Sequence, residues 1–225
     1  MDLKLLKPLI MICGHYGSGK TNLSLNIALD LAAAGEQVTL VDLDLVNPYF
    51  RSSDYTEMLK EGGVDMLAPT FAGTTLDIPA LSPAVSGVFE RQGRVIFDVG
   101  GDDVGATALG RYSRQIRELP YDFLYVVNKY RPLSREAQQS AELLREIEAA
   151  SHLRATAIVN NSHLQRETDW ETIAASRQYA QESADQLGLP VVMTTVPDFV
   201  EIKEPSPDLY RVRVLVRTPW GEAFE

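Results

Sequence analysis

Gly14-His15-Tyr16-Gly17-Ser18-Gly19-Lys20-Thr21 carries the spacing G-x-x-x-x-G-K-[ST], the pattern of a loop that cradles phosphates. Glycines let backbone N–H groups turn inward toward phosphate oxygens, and a following helix N-terminus adds favourable partial charge. Lys20 would reach the β/γ-phosphates, and the Thr21 hydroxyl would sit on Mg²⁺. The apolar run Leu9–Cys13 precedes this segment and a helix-like run follows it, which is the strand–loop–helix context the chemistry needs. The candidate nucleotide contacts are therefore Gly14, Tyr16, Gly17, Ser18 and Gly19 in the loop, with Lys20, Thr21 and Asn22 opening the helix.

Carboxylates follow two later apolar runs. In Val41-Asp42-Leu43-Asp44, two acids two residues apart project to one side of an extended chain. Beside a magnesium–nucleotide, one would hold metal-bound waters and the other would orient the attacking water, since phosphoryl transfer needs positioning more than covalent chemistry. In Ile96-Phe97-Asp98-Val99-Gly100-Gly101-Asp102-Asp103, a strand ends in Asp and meets Gly at once. Asp98 would hold waters of Mg²⁺ and the Gly100 N–H would face the γ-phosphate. Metal candidates are thus Thr21, Asp42 and Asp98.

These motifs, in this order, resemble the MinD/ParA/nitrogenase-iron-protein group of P-loop ATPases, which includes CobQ-type and Mrp-type nucleotide-binding domains. The likeness runs from about Leu9 to Val200. It implies that Asp44 orients the attacking water, that Asp98 is the Walker B acid, and that Lys20 and Asp44 are the catalytic pair. It also implies that an Asn after the next strand but one reads adenine. That maps to Asn160, with Asn161 as an alternate, and Pro197 and Asp198 match the loop that lines the base.

One position departs from the group. A lysine usually follows the first loop glycine and reaches a partner's phosphates across a nucleotide-sandwich dimer; here His15 stands there. Imidazole, with an ordinary pKa near ~6.5, is mostly neutral at pH 7. Arg51 is one candidate replacement cation. Asn128-Lys129-Tyr130-Arg131 is superficially the guanine-reading N-K-x-D, but Arg has no acceptor for the guanine N1/N2 protons. ATP is therefore expected over GTP.

The elements that must position these residues alternate short β-branched runs with longer helical ones. Strands are expected at Leu9–Cys13, Gln37–Asp42, Val95–Asp98, Phe123–Asn128, Ala155–Asn160 and Val191–Val196. Their near-continuous apolar character predicts burial on both faces. Helices are expected at Lys20–Ala34, Ser134–Ala150 and Asp169–Leu187, with another around Ser82–Gln92. Val64–Pro83 and Val200–Val216 read ambiguously, with Val212–Val216 a candidate strand. The fold class is α/β, a mostly parallel sheet with helices on both faces, in one P-loop domain over residues 1–225.

Net charge is −10, against a role that coats nucleic acid through clustered Lys and Arg. The single cysteine, Cys13, sits in an apolar strand and reads as a buried structural thiol in a reducing cytoplasm. No stretch is long and apolar enough to span a bilayer, Met1–Pro8 lacks a signal-peptide shape, and the C-terminus is a poor membrane-surface helix. His152 and His163 read as surface or capping residues, and Trp170 and Trp220 as packing residues.

The leading expectation is a Mg²⁺-dependent ATP-binding switch with ATPase activity, acting as a homodimer or with a protein partner. Iron–sulfur bridging needs paired cysteines and is discounted. The alternatives are an ATP-dependent ligase or small-molecule kinase of the CobQ or dethiobiotin-synthetase sort, with Thr70–Thr75 lining a substrate pocket, or a nucleotide-binding module without turnover.

Overall fold

The apolar runs assemble into one eight-stranded sheet, every neighbouring pair of which is parallel. This computed structural model describes residues 1–44, 52–68, 83–101, 103–132 and 136–216. The strands are β1 (Leu9–Gly14), β2 (Val38–Leu43), β3 (Val64–Leu67), β4 (Arg94–Val99), β5 (Tyr121–Val127), β6 (Ala157–Asn160), β7 (Val191–Pro197) and β8 (Leu209–Val212). Their spatial order is β3-β2-β4-β1-β5-β6-β7-β8. β1 therefore stands at the centre, where the chain switches from building one side of the sheet to building the other. Ligands bind beyond the carboxyl ends of strands at such a point.

Side-chain alternation along β1 separates two layers. Leu9, Met11 and Cys13 join one core cluster with Phe97, Phe123, Leu109, Leu144 and Tyr179. Ile10 and Ile12 join the other with Leu23, Ile27, Leu31, Leu40 and Val126. With both faces covered, the strands have no polar face to show, which explains their continuous apolar runs.

The helices are α1 (Lys20–Ala33), α2 (Thr56–Glu61), α3 (Pro83–Ser86), α4 (Asp103–Gly110), α5 (Ser113–Arg117), α6 (Ala137–Ser151) and α7 (Trp170–Leu187). α6 begins at Ala137, where Glu136 and Gln139 close a reciprocal capping box; Ser134, the expected start, lies outside the described residues. Asp169 caps α7 by accepting from Thr172 N–H, and Gly188 ends it with φ 65°. The helix expected around Ser82–Gln92 is instead one α-turn followed by a 3-10 turn over Gly87–Glu90.

The tail differs from expectation in an instructive way. The last strand is Leu209–Val212, earlier than the Val212–Val216 run suggested. After Val212, the backbone leaves β7 and bonds to asparagines of α1. The Arg213 carbonyl accepts from Asn22 and Asn26, and the N–H groups of Leu215 and Val216 donate to Asn22 Oδ1.

No helix among the described residues is long and apolar enough to cross a membrane.

Candidate nucleotide site

Because every strand is parallel, Gly14, Asp42, Asp98, Asn160 and Pro197 all fall at carboxyl ends on one edge of the sheet. The loop between β1 and α1 turns there. Gly19, with φ 90°, precedes α1 and no side chain caps the helix. A left-handed residue costs glycine little, and a Cβ at this position would run into Asn161 Nδ2. A helix N-terminus turned toward this loop favours negative charge.

Two neighbouring loops hold this turn. Asn161 Nδ2 donates to the Ser18 carbonyl at 2.6 Å, while its Oδ1 accepts from Thr195 Oγ1 at 2.5 Å. Arg131 Nε donates to the Gly17 carbonyl at 2.7 Å. Lys20 is buried, and its Nζ donates to the His15 carbonyl at 3.2 Å across the loop. A Cβ added to Gly101 would sit 2.9 Å from Lys20 Nζ and 2.8 Å from Tyr16 N. The loop after β4 therefore packs on the phosphate loop through Gly101. Gly100 is buried against α4, where Gly105 approaches its N–H.

The acids cluster on the β2–β4 side. Asp42 and Asp98 are register partners across the pair, each 1% exposed. Asp42 Oδ1 accepts from the Asp44 N–H at 2.9 Å and Oδ2 from the Ser53 N–H at 3.1 Å, so both oxygens are fixed. Asp44 is itself buried at the end of this strand. Asp98 accepts from Ser24 Oγ at 3.2 Å and lies close enough to the Thr21 hydroxyl to be stabilised by it, yet its Oδ2 has no partner among the described residues. Burial, then the charge of Asp42, pushes the Asp98 carboxyl up to about 7, against the pull of Lys20 and Thr21. Burial likewise raises Asp42, although hydrogen bonds from Asp44 and Ser53 oppose it.

A magnesium ion fits these residues. A buried carboxylate oxygen without a partner, beside a second acid and a threonine hydroxyl, is an acceptor set that a hard cation or its waters would satisfy. No group of three or more His, Cys, Asp or Glu side chains that could hold a metal occurs among the described residues. A nucleotide-borne Mg²⁺ needs none, since phosphate oxygens and water fill most of its octahedron.

The remaining expected contacts lie apart from this cluster. Asn160 is fully buried in β6 and donates to Ser176 Oγ of α7 at 2.9 Å, and its Oδ1 has no partner among the described residues. Asn22 gives both ends of its amide to the tail, as described above. Pro197 is buried, and Asp198 is exposed with its N–H on Val212 and its carbonyl on Arg211. Tyr16 is 57% exposed, and His15 Nδ1 donates to the Tyr16 carbonyl. Arg51, Thr70–Thr75, Asp102 and Trp220 lie outside the described residues.

The structure adds Gly101, Ser24, Ser53 and Arg131 to the site. Ser24 was legible as the residue one turn beyond Lys20, and Gly101 as the second of a glycine pair. Ser53 and Arg131 had no such spacing to reveal them.

The CobQ/CobB/MinD/ParA nucleotide binding domain family matches residues 10–204. The chain belongs to this family. It is a P-loop nucleotide-binding domain, as the loop geometry requires. Among curated proteins, none matches the sequence. Solved structures share the fold. The signal recognition particle receptor FtsY from Elizabethkingia anophelis, in complex with GDP, aligns with TM-score 0.55 and 20% identity over 84% of this chain and 57% of its own. FtsY from Thermotoga maritima aligns with TM-score 0.54 and 19% identity, covering 87% and 65%. Signal recognition particle 54 kDa protein from Aeropyrum pernix, also with GDP, gives TM-score 0.56 and 17% identity over 86% and 42%. The chain thus spans less than two thirds of each of these proteins.

Proposed function

We propose that this domain binds Mg-ATP and hydrolyses it, using the γ-phosphate as a conformational switch in a homodimer or with a protein partner. The observation that carries the reading is the unpartnered Asp98 Oδ2, buried against Asp42 and next to Thr21 at the foot of the Lys20 loop.

In this reading the loop N–H groups and Lys20 hold the phosphate chain and offset its charge. Thr21 would hold Mg²⁺, with Asp42 and Asp98 on its waters. The metal would supply charge stabilisation to the phosphoryl oxygens as the bond to the leaving ADP breaks. Asp44 orients water for in-line attack, giving ADP and inorganic phosphate. Gly100 and Gly101 sit where loss of the γ-phosphate would be sensed by the loop after β4.

ATP rather than GTP is supported by Arg131, a donor-only side chain where a guanine reader needs a carboxylate. Asn160 and Asn161 are the amides available to adenine, which is both donor and acceptor.

Phosphate release from the purified protein tests the reading. Steady release with Mg-ATP alone, slower with Mg-GTP, supports the switch. Release that requires an added carboxylic acid supports a ligase instead, and tight binding without release supports a module that does not turn over.

A further inference from the structure

The Asn128–Arg131 segment fails as a guanine reader, yet its last residue touches the phosphate loop. Arg131 follows β5, on the opposite side of β1 from the acids. Lys20, Gly101, Asp42 and Asp98 stand together on the β2–β4 side, where the nucleotide reading puts the metal and the terminal phosphate. The rest of the molecule must extend the other way, over the loops that follow β5 and β6. Arg131 stands at that exit.

Its guanidinium is half-buried and held by one edge, through Nε to the Gly17 carbonyl. This is the only hydrogen bond of the guanidinium among the described residues. Gly17 has no side chain to separate the two groups: a Cβ there would lie 3.5 Å from Nε and 3.8 Å from Cζ. The loop that carries the arginine is itself anchored. Tyr130 N–H caps onto Asn128 Oδ1, Lys129 N–H donates to Ser162 Oγ, and the Tyr130 hydroxyl donates to the Thr172 carbonyl. The chain that carries the arginine is therefore anchored, and its Nε is held on the phosphate loop. The neighbouring His163 adds no competing charge, because burial and then Arg131 itself hold its imidazole down at about 4.

A guanidinium plane pinned at its edge offers a flat, weakly hydrated face, which stacks on aromatic rings. We propose that Arg131 is the platform on which the base of the bound nucleotide stacks, making it a specificity residue on the nucleoside side and not a phosphate ligand. The inference rests on the nucleotide reading above. It also explains why a lysine would not serve equally here: an ammonium has charge but no plane.

Binding of Mg-ATP and of Mg-tripolyphosphate, which has no base, separates the possibilities in calorimetry. Lys20→Ala should weaken both ligands. Arg131→Ala removes the brace on Gly17 as well as the plane, so it should weaken both ligands, Mg-ATP by about tenfold more than Mg-tripolyphosphate, the scale of one lost base stack. Arg131→Lys should behave like Arg131→Ala. Equal loss of both ligands in Arg131→Ala would make the residue a phosphate clamp or a prop for the loop, and would overturn the proposal. So would full affinity in Arg131→Lys, which would show that charge suffices, or no loss in either variant. Failure of the wild-type protein to bind either ligand would remove the nucleotide reading itself.

Discussion

Asp42 and Asp98 face each other in register across β2 and β4, both buried, and only Asp42 has both oxygens engaged by the described residues. Packing two acids side by side in a sheet interior disfavours charging both. The cost is borne mainly by Asp98, which holds its proton up to about pH 7 in the nucleotide-free protein.

That shift makes a signed prediction. Folded Asp98 retains a proton that the unfolded chain loses near its ordinary value of 3.8, so its contribution to stability is lost as pH rises toward about 7. His163 acts oppositely. Its imidazole is held at about 4 against an ordinary 6.5, so its contribution is lost as pH falls through that window. The two slopes offset each other in the wild type. Asp98→Asn should leave stability rising between about pH 4 and 6.5, and His163→Gln should leave it falling over the same span, as read by urea midpoints. Parallel profiles in all three proteins would refute both assignments.

Asn161 ties the phosphate loop to β7 by bridging Ser18 and Thr195. Removing it takes the donor from the Ser18 carbonyl and leaves Thr195 Oγ1 only its 3.4 Å contact to the Asn160 carbonyl, at a cost of about 1–3 kcal/mol. Asn161→Ala should lower the melting temperature and weaken Mg-ATP and Mg-tripolyphosphate alike. Unchanged affinity for both would mean that the loop holds its shape without this brace.

Asn26 holds Arg213 at both ends of the peptide, accepting from its N–H at 2.8 Å and donating to its carbonyl at 2.9 Å. Asp30, one turn on, takes the Arg213 guanidinium and the Tyr210 hydroxyl. Asn26→Ala should therefore release the tail from α1. Limited trypsin digestion would then cut after Arg213 faster by about tenfold, the effect of losing about 1.4 kcal/mol of local protection. An unaltered cleavage rate would show that the tail is held by other contacts.

Much of this site was legible because its chemistry is local. The phosphate loop, the Asp42–Asp44 pair and Asp98 each depend on spacing within a few residues of a buried strand, and strands buried on both faces announce themselves as apolar runs. What escaped was what depends on distant partners. Asn22 opens α1 and looks like a loop contact, yet its amide is taken up by backbone almost two hundred residues away, at Arg213, Leu215 and Val216. Arg131 read only as the residue that spoils a guanine motif, because its partner is the Gly17 carbonyl on another loop. β3 is four residues long with one side chain, Asp65, exposed. α4 is rich in Ala and Gly. Neither carries a period that distinguishes it from a loop.

The central claim is that a magnesium–nucleotide lies in the loop closed by Lys20. Calorimetric titration of Mg-ATP into the wild-type protein and into Lys20→Ala tests it most directly. Saturable binding with one nucleotide per chain, weakened at least about a hundredfold by the substitution, is the predicted result. No binding by the wild type, or equal affinity in the two proteins, would contradict it.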